Sequence, residues 1–145
     1  MRGALKEAEK AYNKEEVPIG AVIVLENKII SRGHNLRESK NNPLYHAEII
    51  AIDKAAKKLK KWRLNDTKLY VTIEPCPMCI GAIINARIDL VAYGAKDEKA
   101  GACGSVINIP EIKKLNHKVA IKSGILEKEC KKIIQKFFKK LRNKI

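Results

Sequence analysis

Between Lys68 and Gly94 the chain runs through KLYVTI (68–73), CPMCIGAIINAR (76–87) and LVAYG (90–94). The outer two pieces are short apolar runs of strand type, and the middle one has the length and composition of a helix. A strand, a helix and a strand in that succession call for a crossover, so the two strands pair in parallel with the helix on one face. This constrains the fold more than any other feature, because parallel strands persist only where both faces of their sheet are covered.

The rest of the chain supplies the covering. Residues 2–14 read as a helix, with Ala4, Leu5, Ala8, Ala11 and Tyr12 at helical spacing. AVIVL (21–25) and KIISRG (28–33) flank Glu26-Asn27 and predict a tight antiparallel hairpin. The polar stretch HNLRESKNNP (34–43) is the longest irregular segment, of the kind that often carries function. A helix is predicted from Tyr45 to about Lys61, a loop over 96–106, a short fifth strand within 118–124, and a last helix from Leu126 to Leu141. The sum is an α/β fold, a mixed sheet of about five strands between helical layers.

At 145 residues this is the length of one domain, with no repeat or linker to divide it. Hydrophobic residues at 46% and charged residues at 32% exclude a disordered tail, and no apolar run is long enough to span a bilayer. The first residues, MRGALKEAEKAYNKEE, lack the apolar core of a secretory signal, so the expected location is cytoplasmic. In a reducing compartment, close cysteines read as metal-binding or redox-active.

Two segments carry chemistry. One is His46-Ala47-Glu48 at the start of a helix; the other is Pro75-Cys76-Pro77-Met78-Cys79 at a strand-to-helix junction. Cys76 and Cys79, three apart, place both thiols on one side of a first helical turn. Pro77 suits the first helical position, where its missing N–H costs nothing. The helix N-terminus favours thiolates, and His46 adds a nitrogen. Two thiolates and an imidazole make three zinc ligands. A structural zinc site closes with four protein ligands, whereas a catalytic one leaves the fourth place to water. His34, Cys103, His117 and Cys130 stand at no recognisable ligand spacing. Glu48, two residues from His46, is placed to move a proton without being a ligand. A thioredoxin-like redox pair would make no use of the upstream H-x-E.

With H-x-E followed by P-C-x-x-C, the chain resembles the zinc-dependent deaminases of the cytidine deaminase-like superfamily. VPIGAVIV (17–24), GHN (33–35), HAEIIAI (46–52), LYVTIEPCPMCIGAI (69–83), YGAKDEKAGACGS (93–105), NHKV (116–119), GIL (124–126) and Phe137-Phe138 are similar to the bacterial tRNA-specific adenosine deaminases. The resemblance covers nearly the whole chain, and its most specific piece is KDEKAGACGS.

That resemblance implies a three-layer α/β/α deaminase domain over residues 1–145 and one zinc ion per subunit, held by His46, Cys76 and Cys79. It implies hydrolysis of adenosine to inosine at wobble position 34 of a tRNA anticodon, with release of ammonia. Glu48 would take a proton from the attacking water, pass it to the purine ring and protonate the departing amine. Asn35 matches the position that binds the base edge, an amide being able to donate and accept at once. Val17, Ile19, Ala47 and Pro75 are expected near the base, and Asp97 beside the substrate nucleotides. The implied partners are the anticodon arm of tRNA and a second copy of the chain, with no membrane. Competing readings are a deaminase of a free base such as guanine, which shares P-C-P-M-C; a cytidine or deoxycytidylate deaminase; and a non-catalytic zinc-stabilised RNA-binding module, which would not need Glu48.

The net charge of +14 is ambiguous alone, fitting nucleic acid, an anionic membrane surface or plain lysine abundance. Beside the resemblance, Lys54–Arg63 and Leu126–Ile145 become the expected phosphate-facing segments. In the latter, Ile133, Ile134, Phe137, Phe138, Leu141 and Ile145 form an apolar stripe expected to pack on the sheet.

Overall fold

Strand β1 (Gly20–Leu25) and strand β2 (Lys28–His34) form the expected antiparallel hairpin. Its turn residues Glu26 and Asn27 both take left-handed backbone, φ 50° and 64°, the twist that a two-residue hairpin loop requires. The other edge of β1 pairs antiparallel with β3 (Thr67–Ile73); β3 pairs in parallel with β4 (Leu90–Ala95), and β4 with the short β5 (Ala120–Lys122). The resulting sheet has the order β2-β1-β3-β4-β5, as seen in a computed structural model that describes residues 1–144. Ile145, assigned above to the apolar stripe, lies outside the described residues.

Alternation along the strands makes the layers. Ala21, Ile23, Leu69, Val71, Val91 and Tyr93 face one side and join Ala47, Ala51 and Ala55 of helix α2 (Ala47–Leu59) and Ile80, Ile83 and Ile84 of helix α3 (Pro77–Asn85) in one core. The opposite side is covered by α1 (Arg2–Asn13), which buries Ala4, Ala8 and Ala11, and by α4 (Glu127–Asn143), which buries Cys130 and Phe137. The two helices meet where Tyr12 packs edge-on to Phe137, ring centroids 6.2 Å apart. Gly20 and Gly33 are needed for this closeness. A methyl group at Gly20 would overlap the backbone of Ala4 and Ala8, and one at Gly33 the backbone of Ala47 and Ala51.

Element boundaries shift where a cap decides them. The helix predicted from Tyr45 starts at Ala47, because His46 stays extended at φ −77° and ψ 156°; it ends at Leu59, because Lys60 turns left-handed at φ 55°. A one-turn 3-10 helix at Ile109–Glu111 went unforeseen, having too few residues to show a period. Among the described residues no helix is long and apolar enough to cross a membrane.

Candidate active site

Two helix N-termini point at one place. His46 is the residue that enters α2, and Cys76 the one that enters α3, with Pro77 at the first helical position and Cys79 one turn in. Both residues keep extended backbone before their helices start, and this aims their side chains across the gap between α2 and α3. The His46 Nδ1 lies 3.7 Å from the Cys76 Sγ and 3.5 Å from the Cys79 Sγ, and the three ligand atoms lie within 4.8 Å of one another. A tetrahedral zinc with Zn–S of about 2.3 Å and Zn–N of about 2.0 Å sets sulfur and nitrogen roughly 3.6 Å apart. The cluster fits the ion in donor type and in spacing.

Protonation says the same. The Cys76 thiol is brought down to about 4, by a hydrogen bond from Cys79 first and from His46 next. Cys79 is driven far up by that neighbouring thiolate and by its own burial, and His46 is raised by its contact with Cys76. The three side chains thus hold their protons through mutual hydrogen bonds, which a divalent cation would replace. Such an ion releases protons as it binds.

Glu48 sits in the first turn of α2 and is 4% exposed. Burial pushes its carboxyl up to about 7, the opposing pull of His46 notwithstanding. It lines one cavity with His46 and Cys76. The same cavity is lined by Val17, Ile19, Asn35, Ala47 and Asp97, so five of the six residues expected around the base converge. Pro75 is not among the lining residues; it is buried, its carbonyl accepting the Ala102 N–H at 2.9 Å.

The Asn35 amide has only one workable orientation. Its Nδ2 donates to the Val17 carbonyl at 3.3 Å, and its Oδ1 accepts the Arg37 N–H at 3.1 Å. One N–H and one lone pair remain, which is what a purine edge asks for. Asp97 is already employed: its Oδ1 caps the turn by accepting the N–H groups of Lys99 and Ala100, at 3.0 and 3.2 Å.

Arg37, Ile73, Glu74 and Ala100 also line the cavity and were not foreseen. An acid directly before P-C-x-x-C, at the end of a buried strand, was a usable sign for Glu74, since a carboxylate there must find donors. Arg37 carried no sign beyond its place in the long loop. The basic run 54–63 starts in the second half of α2 and continues past its end. Helix α2 has its N-terminus at the cavity, so Lys57 and Lys58 stand about 15 Å or more along its axis, and Lys60–Arg63 follow its C-terminal end. There Trp62 is exposed, with the guanidinium groups of Arg63 and Arg87 over its ring at 4.9 and 5.6 Å. Arg37 lines the cavity, and Lys40, Lys96 and Lys99 belong to the two loops that supply Arg37, Asp97 and Ala100.

A mixed five-stranded sheet between helices, with such a cluster where two helix N-termini meet, defines a deaminase of the cytidine deaminase-like fold. The profile of the MafB19-like deaminase family matches residues 1–142. The tRNA-specific adenosine deaminase of Bacillus subtilis (strain 168) is 48% identical over 144 residues, which are 99% of this chain and 89% of that one. A solved structure from work on A-to-I editing by tRNA:A34 deaminases superposes with a TM-score of 0.89 at 42% identity, covering 92% of this chain and 96% of the other. The guanine deaminase of Bacillus subtilis reaches 0.62 at 43% identity, over 66% and 61% of the two chains. The chain belongs to the MafB19-like deaminases, and to the tRNA-specific adenosine deaminases among them.

Proposed function

We propose that this protein hydrolyses adenosine to inosine at wobble position 34 of a tRNA anticodon and releases ammonia. The observation that carries this reading is likeness along nearly the full length, at 42% identity and a TM-score of 0.89 to a tRNA:A34 deaminase and at 48% identity to a tRNA-specific adenosine deaminase. One domain spanning residues 1–145 would do the work.

His46, Cys76 and Cys79 are the residues to hold zinc, one ion per subunit. When bound, zinc polarises a water and brings its pKa near neutrality. Glu48 then acts as the proton carrier. It accepts a proton from the attacking water and delivers it to the purine ring as the C6–O bond forms. It then takes the proton of the new C6 hydroxyl and hands it to the exocyclic amine, which leaves as ammonia as the C6–N bond breaks and the C6 carbonyl forms. A carboxyl held near neutrality by burial suits both directions of transfer. The free N–H and lone pair of Asn35 read the base edge. Val17, Ile19 and Ala47 enclose the ring, and Asp97 shapes the rim beside the flanking nucleotides.

The anticodon arm is the proposed partner, the rim cations Arg37, Lys40, Lys96 and Lys99 meeting its phosphates. A homodimer is the proposed assembly. Val106, Ile107, Ile112 and Leu115 are exposed large apolar side chains on the segment after the rim loop, and a second copy would cover them. The cytoplasm, where tRNA is used, is the proposed location.

The deciding experiment incubates the protein separately with an adenosine-wobble tRNA, free guanine and free cytidine, and assays inosine, xanthine and uridine. Inosine in the tRNA is the expected product. Xanthine alone would move the protein to the free-base deaminases.

A further inference from the structure

The cavity is walled by two irregular loops. One, residues 35–46, brings Asn35 and Arg37; the other, residues 96–106, brings Asp97 and Ala100. Irregular backbone near a cavity leaves N–H groups that no helix or strand ladder takes up, and these need acceptors. Each loop finds them on a single carboxylate from the rigid part of the fold.

Glu16, in the connection between α1 and β1, is 1% exposed. It accepts the Glu38 N–H at 3.1 Å, the Ser39 N–H at 2.6 Å and the Ser39 hydroxyl at 2.5 Å. Glu74, directly after β3, is also 1% exposed. It accepts the N–H groups of Asp97 at 3.2 Å, Cys103 at 2.9 Å and Ser105 at 3.1 Å, together with the Ser105 hydroxyl. The arrangement is the same twice: one acid, a serine hydroxyl, and two or three backbone donors. Gly101 shows how tightly the second loop is wrapped, since a methyl group there would overlap the Glu74 carboxylate.

We infer that Glu16 and Glu74 are positioning residues, each gathering the backbone donors of one rim loop so that the cavity is shaped before the substrate arrives. Glu74 also lines the cavity, but the carboxylate oxygens of both acids are taken up by loop donors. Glu16 works beside Asn35: the next residue, Val17, supplies the carbonyl that orients the Asn35 amide, while the Glu16 carboxylate holds the turn immediately after it. Only a carboxylate serves, because both oxygens accept. A glutamine of equal size would turn its NH₂ toward N–H donors. The turnover part of this inference rests on Asn35 binding the base.

Full-length, zinc-loaded Glu16→Gln and Glu74→Gln proteins test it. In Glu16→Gln, amide exchange at residues 38–39 should speed up by roughly tenfold or more while residues 97–105 keep their rates; Glu74→Gln should do the converse. Both should retain about one zinc per chain. Faster exchange everywhere, or in neither loop, overturns the inference, and loss of zinc from Glu74→Gln would make that residue a support of the metal ligands instead. A double-mutant cycle is the second readout. Glu16→Gln should lower kcat/KM roughly tenfold alone, but less than about threefold in an Asn35→Ala background, where no amide is left to aim. Full additivity overturns the positioning role. If Asn35→Ala by itself turns over normally, the base contact is wrong, and the exchange data alone decide the role of the two acids.

Discussion

Glu48, beside the metal-binding trio, and Glu16 and Glu74, which hold the two rim loops, are all nearly buried, at 4%, 1% and 1% exposure, yet they fall on opposite sides of the ordinary carboxylate range. For Glu48, burial dominates and raises the carboxyl to about 7. For Glu16, burial pulls the same way, but the donors of Ser39 and Glu38 outweigh it and hold the acid low. Glu74 is likewise held low against burial by the donors of Ser105, Cys103 and Asp97. Depth does not decide the charge state; the supply of donors does. The cavity keeps an acid that can exchange its proton near neutrality, and the rim keeps two that stay ionised and hold backbone.

The largest way to break this contrast is to remove what the floor is built around. Cys79→Ser should take bound zinc from about one per chain to none, with deamination lost, as read by metal analysis of purified protein. Metal-free protein with full activity would overturn the mechanism. Glu48→Ala should keep the zinc and the RNA binding while deamination falls by roughly a hundredfold to ten-thousandfold, the range of a lost proton carrier. Substantial turnover in that variant would take Glu48 out of its role.

Salt probes the rim. If four cations there each neutralise a phosphate, tRNA affinity should drop about a hundredfold between about 50 and 200 mM salt, measured by filter binding. A flat response would remove those cations from the interface, and a much steeper one would bring in Lys57–Arg63 or α4 as well.

The smallest effect is the most specific to the comparison. In metal-free protein the raised carboxyl of Glu48 costs stability as pH climbs from about 4.5 toward about 7, because the folded state holds a proton that the unfolded state has released. Glu48→Gln should therefore gain stability over the parent as pH rises through that window. Glu16 and Glu74, held low, contribute stability above their ordinary value of 4.5 and lose it as pH falls through their folded values. Glu16→Gln should be less stable than the parent at neutral pH, and the gap should narrow in acid. Denaturant melts across pH check both signs; parallel curves would end the distinction.

What could be read in advance follows from the range of the interactions involved. The strand–helix–strand unit, the hairpin and the Cys76–Cys79 pair rest on neighbours in sequence: periodicity, a two-residue turn, and thiols one helical turn apart; His46, thirty residues before Cys76, is brought to them by the fold. The sequence alone therefore indicated the sheet, its parallel half, and the three donor residues whose ligand atoms lie within 4.8 Å of one another. It did not determine that Pro75 is left out of the cavity lining, that Asp97 spends its Oδ1 on its own turn, or that Lys57–Arg63 end at the far pole of α2. Nor did it reveal that Glu16 and Glu74 hold the rim. Apart from the Asp97 turn, which its own neighbours Lys99 and Ala100 close, each of those outcomes depends on donors or surfaces brought from more than twenty residues away, or on the direction in which a packed helix points. Only the folded chain brings those groups together, because a buried carboxylate takes its character from the hydrogen bonds that close around it.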